Sequence, residues 1–251
     1  MKIAVLSDIH GNYSALKIVI DDILRQNADE IYSLGNQTGL FPYLDKALDL
    51  LDEHNVICLQ GNFEDPSAKH YGINRDFSIL PRVLHIEREG VQIMMGHMEE
   101  LVECPENGLH LFGHTHDSYF HKSGSKYKLN PGSVGDPKGR VNLAETRYAM
   151  LEIYDGVIQV SHRALTYSTE QIWRDFISTG CYDVNPVLSR LLMEMMETGV
   201  SNSIFGRFFR HVKSMGYLDE MPDYPHEIWD KAAESFAWKY PNKFDGWRQS
   251  N

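Results

Sequence analysis

The sequence predicts an α/β fold, α+β in detail, in which parallel β-α-β units come first and antiparallel strands follow. Short apolar runs alternate with amphipathic stretches of helical spacing, and polar residues follow directly where several runs end. The last third of the chain changes to helical periodicity rich in aromatic residues. With 251 residues, the chain can form one large domain or an ordinary domain with an appended subdomain.

The first elements predict repeated strand, loop and helix. Residues 2–7 form a compact apolar run and predict a buried strand, and Ser14 opens a stretch whose apolar residues lie on one helix face. Residues 31–34 predict a second strand, followed by a loop and a helix that carries Leu44, Leu48 and Leu51. Residues 56–59 predict a third strand, so two β-α-β units follow one another.

Later apolar runs predict four more strands, at residues 91–95, 109–112, 148–153 and 157–161. The last two are expected to pair across the turn Asp155-Gly156. Beyond residue 165 the pattern is helical, and no Gly-, Pro- or Ser-rich linker precedes it. We therefore predict a domain at residues 1–165 and a helical C-terminal extension at residues 166–251 that packs on it.

Composition and charge exclude several classes of protein. The chain is 42% hydrophobic and 24% charged, as globular proteins are, and no apolar run approaches the roughly 18 residues that span a bilayer. The net charge of -11 repels phosphate backbones, which argues against binding of extended nucleic acid. We expect a protein with no membrane partner.

The cysteines and the N-terminus indicate a cytoplasmic location. Cys58, Cys104 and Cys181 cannot all pair and lack metal-type spacing, which suits a reducing compartment. The first apolar stretch is too short for a signal peptide and is interrupted by Asp8 and His10.

Polar residues follow five of the predicted strands. Because ligand sites lie at the carboxyl ends of strands in such sheets, these residues are expected to meet at one edge. A lone D-x-H or histidine is weak support, but the ordered set is more specific. Together they offer nitrogen and oxygen ligands suited to Mn, Fe, Zn or Ni. The candidates are Asp8, His10, Asn36, Asn62, His97, His114 and His116.

The ordered motifs resemble those of the calcineurin-like metallophosphoesterases, D-x-H, G-D, G-N-H-[DE], H and G-H-x-H. The segments at residues 8–12 (DIHGN) and 130–135 (NPGSVG) also match the small bacterial and archaeal phosphatase branch, and the resemblance covers about residues 1–160. It implies a two-sheet β-sandwich flanked by helices and a site for up to two divalent metal ions.

The resemblance also implies roles for single residues. Asp8, His10 and His116 would hold the first metal, and Asn62, His97 and His114 the second. The bridging aspartate of the family falls on Asn36. The residues expected to take part in catalysis are Asp8, Asn36, Asn62 and His97.

Two positions depart from the family pattern. At Asn36 a neutral amide is a poorer ligand than a carboxylate, so the second metal site, with three neutral ligands, is expected to be weakly occupied. Phe63 stands where the family often has a histidine that protonates the leaving group. Glu64 or Asp65 could replace that acid, although we favour solvated loop charges for both.

Two functions are compatible with these residues. The first is a metal-dependent phosphoesterase that hydrolyses small phosphomonoesters or phosphodiesters, nucleotides among them, by attack of a metal-bound hydroxide. The second is a catalytically silenced member that binds a phosphorylated ligand or a protein partner. An engineered Asp→Asn change would also explain Asn36, but Gln37 and Thr38 differ from the usual loop as well, which favours natural divergence.

Other polar residues near the motifs have simpler expected roles. For His85, His110 and His121 we favour exposed or hydrogen-bonded histidines. Asn12 could hold a phosphate oxygen or cap the following helix, and the sequence favours neither.

Overall fold

A computed structural model describes residues 1–39, 41–65, 75–138, 145–198, 203–217, 226–242 and 244. Its described part divides into two compact units. The first contains Met1–Lys138 and the segment that ends at Tyr167, and the second begins at Ser168.

The first unit contains ten strands and two α-helices among its described residues. The strands are β1 Lys2–Leu6, β2 Glu30–Ser33, β3 Ile57–Cys58, β4 Val83–Arg88, β5 Val91–Gly96, β6 Gly108–Leu111, β7 Ser118–Ser123, β8 Lys126–Pro131, β9 Glu145–Tyr154 and β10 Val157–Thr166. The helices are α1 Tyr13–Gln26 and α2 Leu44–Glu53. Short 3-10 turns lie at Phe77–Ile79 and Glu99–Leu101.

These strands form two five-stranded sheets, which confirms the predicted α/β two-sheet fold. One has the order β10-β9-β1-β2-β3, and the other β4-β5-β6-β8-β7. Fourteen buried residues from both sheets form one core, and burial of each large side chain contributes about 1.5–3 kcal/mol. They are Ile3, Val5, Tyr32, Leu34, Leu59, Val91, Ile93, Met95, Leu109, Leu111, Leu129, Ala149, Leu151 and Ile153.

The strand pattern was predicted in part. The β9-β10 hairpin forms across Asp155 and Gly156, which both have positive φ, as a tight hairpin turn requires. Strands β4, β7 and β8 were missed. Of these, β4 and β7 are exposed edge strands without an apolar run. The expectation that the later strands are antiparallel was wrong for β6, which pairs in parallel with β5 and β8.

Asn12 caps helix α1, which is one of the two roles expected for it. Its side-chain oxygen accepts a hydrogen bond from the Ala15 N–H at 3.1 Å, and its amide nitrogen donates to the Gly135 carbonyl and the Tyr167 hydroxyl. The amide is thus fully engaged as a helix cap and as a link to two other segments.

The second unit is helical, as predicted for the C-terminal region. Its helices are α3 Thr169–Ser178, α4 Cys181–Val184, α5 Pro186–Thr198, α6 Ser203–Ser214 and α7 His226–Ser235. Phe208 is fully buried and contacts Trp229, Phe236 and Trp238, so the aromatic residues of this unit form its core. Residues 199–202, 218–225, 243 and 245–251 of the predicted extension lie outside the described residues.

Among the residues that the structure describes, no helix combines the length and the apolar composition needed to cross a membrane.

Candidate metal centre

The seven candidate ligands follow the carboxyl ends of five strands. Asp8 and His10 follow β1, Asn36 follows β2, Asn62 follows β3, and His97 follows β5. His114 and His116 follow β6. Contacts of 3.0 to 3.8 Å link the side chains of Asp8, His10, Asn36, Asn62, His97 and His116, and the His114 ring lies against that of His97. The structure therefore brings together the residues that the motifs singled out.

Five of these seven residues adopt the left-handed backbone conformation, which is uncommon outside glycine. They are Asp8 (φ 54°), His10 (φ 54°), Asn36 (φ 55°), His114 (φ 65°) and His116 (φ 63°). Such conformations persist only where the surrounding structure enforces them, and they cluster at functional sites. Here neighbouring loops enforce them through backbone hydrogen bonds, such as Asp8 N–H to the Gly35 carbonyl and His10 N–H to the Asn36 carbonyl.

Asp8, His10 and His116 form a group with the spacing of metal ligands. Asp8 Oδ1 lies 3.4 Å from His116 Nε2 and 3.7 Å from His10 Nε2, and the two Nε2 atoms lie 3.2 Å apart. Two ligands at about 2.1 Å from a tetrahedral cation lie about 3.4 Å apart. The donor set and spacing of this group, which we call the first half-site, therefore fit a divalent cation.

The pKa values of the two histidines in the first half-site are shifted in opposite directions. Burial, the largest effect, lowers the pKa of His10 to about 4 even though Asp8 acts to raise it, so this imidazole is neutral at pH 7. His116 Nδ1 donates to the Asp136 carbonyl at 2.8 Å, which directs the Nε2 lone pair of the neutral ring toward Asp8. Burial opposes protonation of His116, but its hydrogen bond with Asp8 and the Asp8 charge raise its pKa overall.

Asp8 is fully buried and its two oxygens have different partners. Oδ2 accepts hydrogen bonds from the Ser7 hydroxyl at 2.7 Å and the His114 N–H at 2.9 Å, which leaves Oδ1 directed at the histidines. Burial acts to raise the pKa of Asp8, but the hydrogen bond and charge of His116 and the charges of His97 and His10 hold it well below its usual range. The carboxylate is therefore ionised at neutral pH.

Asn62, His97 and His114, the second half-site, differ from the first. His97 Nδ1 donates to the Leu34 carbonyl at 3.0 Å, and its Nε2 lies 3.1 Å from Asn62 Oδ1. The His114 ring lies 5.3 Å from the His97 ring, and both His114 and Asn62 are exposed. The Asn36 amide nitrogen donates to Asn62 Oδ1 at 3.2 Å. Three neutral ligands, one of them already bonded to a donor, fit a cation poorly.

Glu64 corrects an expectation from the sequence. It is completely buried, so the solvated loop charge that we favoured was wrong for this residue. Its carboxylate accepts hydrogen bonds from the backbone N–H groups of Asn36, Thr38 and Gly61 at 2.8, 2.8 and 2.9 Å, and from the Thr38 hydroxyl. Glu64 is thus a fully engaged acceptor that joins the loops after β2 and β3. Its place as the acidic residue of G-N-H-[DE] was the signal in the sequence.

Phe63 lies beside the first half-site, whereas His85, His110 and His121 lie outside the group of candidate ligands. The half-buried Phe63 ring stands edge-on to His10 with centroids 5.0 Å apart, and its side chain cannot transfer a proton. His85 and His121 are exposed, as expected. His110 is instead buried in β6, and neither of its ring nitrogens has a hydrogen-bond partner among the described residues.

Comparisons with known proteins find a matching family profile and related sequences. Residues 1–156 match a family profile described as the calcineurin-like phosphoesterase superfamily domain. The chain is 30% identical over 157 residues to a protein of Escherichia coli K12 named phosphodiesterase YfcE, an alignment that covers 55% of this chain and 82% of that protein.

Two solved structures have a similar fold. A metallophosphoesterase from Sphaerobacter thermophilus gives a TM-score of 0.59 at 20% identity and covers 80% of this chain and 100% of that one. The structure of YfcE from E. coli, described as a phosphoesterase, gives a TM-score of 0.50 at 23% identity and covers 67% of this chain and 100% of that one. At these identities the likeness concerns the fold.

Proposed function

The chain belongs to the calcineurin-like phosphoesterase superfamily, a family of hydrolases, and from that premise we propose that it hydrolyses small phosphomonoesters or phosphodiesters with the help of a bound divalent cation. Nucleotides are one class of such small phosphoesters. The name of the YfcE relative favours phosphodiesters among these substrates.

The observation that carries this proposal is the spacing of Asp8, His10 and His116. These residues would hold the first cation, and Mn, Fe, Zn and Ni all accept their mixture of oxygen and nitrogen ligands. A cation there would act as a Lewis acid on a phosphoryl oxygen and activate water as the nucleophile. Asn62, His97 and His114 are the proposed ligands of a second, weakly held cation.

The chain's own side chains would orient the substrate. Exposed Asn62 and His114 can donate hydrogen bonds to phosphoryl oxygens, while the Leu34 carbonyl holds buried His97 with its Nε2 3.1 Å from Asn62 Oδ1. Phe63 places an apolar ring where the family often has a histidine. A leaving group on that side receives no proton from residue 63, which favours esters whose leaving groups are stable as anions, such as aryl esters.

The proposal also covers the domain organisation of the chain and its cellular location. We assign the metallophosphoesterase domain to residues 1–165 and a helical extension to residues 166–251. The three cysteines are free thiols, which is consistent with a cytoplasmic protein.

The alternative function is a silenced member that binds a phosphorylated ligand or a protein partner. Asn36 at the bridging position and Phe63 at the acid position favour it. The two functions differ in turnover, because only the enzyme releases product.

Hydrolysis of an aryl phosphate and of an aryl phosphodiester by purified full-length chain with excess Mn²⁺ or Ni²⁺ tests the proposal. The enzyme should release the aryl alcohol from at least one ester, and a chelator should abolish the reaction. If neither ester is hydrolysed while phosphate or a nucleotide still binds, the chain is a silenced member that binds phosphorylated ligands, and the proposed activity is refuted.

A further inference from the structure

The Asn36 side-chain amide lies between the two half-sites and is almost completely buried, with 2% of its surface exposed. Its nitrogen Nδ2 lies 3.0 Å from Asp8 Oδ1 and 3.2 Å from Asn62 Oδ1. Its oxygen Oδ1 accepts a hydrogen bond from the Phe63 backbone N–H at 3.0 Å. One amide thus contacts a carboxylate, a second amide and a backbone donor.

The chemistry of the partners fixes the orientation of this amide. The Phe63 N–H can only donate a hydrogen bond, so the Asn36 atom that faces it is the amide oxygen. A flipped Asn36 would place its oxygen against Asp8 Oδ1 and its NH₂ against the Phe63 N–H, which loses the hydrogen bonds to both. The NH₂ group therefore points to the space between Asp8 and Asn62.

The backbone holds Asn36 in this position. Its N–H and that of Gly61 both donate to the same oxygen of buried Glu64, at 2.8 and 2.9 Å. A Cβ at Gly61 would collide with the Asn36 amide oxygen, so the glycine allows the two loops to approach this closely. Glu64 thus fixes the backbone of Asn36, and the Phe63 N–H fixes its side-chain oxygen.

The Asn36 NH₂ group satisfies acceptor oxygens in both half-sites, as a second cation would. Asp8 Oδ1 and Asn62 Oδ1 are two acceptors that need a positive or hydrogen-bonding group between them, and the Asn36 NH₂ supplies it. An amide nitrogen has no available lone pair for a metal, and its hydrogens point to Asp8 Oδ1 and Asn62 Oδ1. An aspartate at this position would instead present a second carboxylate oxygen to Asp8, and the two would repel unless a cation lay between them.

We propose that the Asn36 amide takes the place of the second cation, so that the chain holds only one divalent cation tightly, at Asp8, His10 and His116. The inference rests on the proposed function only for the location of that first cation. A second cation binds at least about a hundredfold more weakly than the first, because it must displace the hydrogen bonds of Asn36.

Titration of the metal-free full-length chain with Mn²⁺ by calorimetry, followed by elemental analysis after dialysis, tests this. Wild type should bind one equivalent. Asn36→Asp should bind two, with the second at least about a hundredfold tighter than in wild type. The electron paramagnetic resonance spectrum of loaded wild type should show isolated Mn²⁺, and that of the variant should show exchange-coupled ions.

Asn55→Asp is the matched control, because Asn55 is an exposed asparagine with nearly the same φ, 52° against 55°. It should bind one equivalent, as wild type does. Two wild-type equivalents of similar affinity, no bound cation, or one equivalent in a folded Asn36→Asp chain would overturn the inference. Wild-type stoichiometry decides even if the variant does not fold. A chain that binds one cation and hydrolyses neither ester refutes the proposed function and leaves this inference intact.

Discussion

The two half-sites both lie in loops that follow β-strands, but their polar side chains have different partners. The first contains buried, ionised Asp8 and two histidine nitrogens at ligand spacing. The second contains three neutral side chains, two of them exposed, and is linked to Asp8 by the Asn36 amide. In the first half-site a cation would balance the charge of Asp8. In the second, the Asn36 amide already donates a hydrogen bond to Asn62.

The difference shows how one substitution can change a site while the fold is kept. A carboxylate and an amide have nearly the same shape, so Asn36 leaves the loops after β2 and β3 in place. What changes is the sign of the group that faces Asp8. Because hydrogen-bond donors and cations both satisfy carboxylate oxygens, the site can exchange one for the other.

The largest expected effect is that of Asp8→Asn, which removes the carboxylate from the first half-site. Cation affinity and kcat/KM should each fall by at least about a thousandfold, which corresponds to about 4 kcal/mol. Calorimetric titration and hydrolysis of the aryl ester measure this. Asp155→Asn, at an exposed turn of the same φ class, should change neither quantity. An Asp8→Asn chain that still binds the cation tightly would show that the ligands lie elsewhere.

The next effect concerns the junction that both half-sites share. Glu64→Gln replaces one acceptor oxygen by an NH₂ group that faces buried N–H or O–H donors, and we expect a loss of about 2–4 kcal/mol in the free energy of unfolding. Denaturant titration measures this loss, with Glu53→Gln on the exposed face of α2 as control. If Glu64→Gln is as stable as the control, the loops after β2 and β3 do not depend on this carboxylate.

The loop after β6 carries one histidine of each half-site, His114 and His116, two positions apart. His116→Ala should weaken cation binding by at least about a hundredfold, since even outer partners of metal ligands contribute ten- to a hundredfold. His114→Ala should weaken it less than about threefold, because this exposed ring belongs to the second half-site. Equal losses in the two variants would contradict the division of the site.

The smallest expected effect is the pH dependence of cation binding. The pKa of His116 is raised above its ordinary value, whereas those of His10 and His97 are lowered, so His116 is the histidine whose proton competes with the cation near neutrality. Affinity should therefore fall as the pH falls through the pKa of His116, by about tenfold per pH unit below it. Titrations from about pH 8 to about pH 6 measure this slope, and a flat profile would contradict the assignment.

Short-range patterns in the sequence predicted the ligands but not how they are connected. The motifs at Asp8 and His114 are local, and each follows a buried apolar strand, so their shared edge could be inferred. The orientation of the Asn36 amide depends on the Phe63 N–H and on Glu64, 27 and 28 residues away in the chain. Edge strands β4 and β7 were also missed, because exposed strands carry no apolar signal.

Anomalous diffraction from crystals of the full-length wild-type chain, grown with excess Mn²⁺ or Zn²⁺, tests the central claim most directly. The account predicts one strong peak within coordination distance of Asp8, His10 and His116, with the Asn36 amide still bonded to Asp8 and Phe63. A second peak of similar height among Asn62, His97 and His114 would contradict it, as would a cation bound elsewhere in the chain.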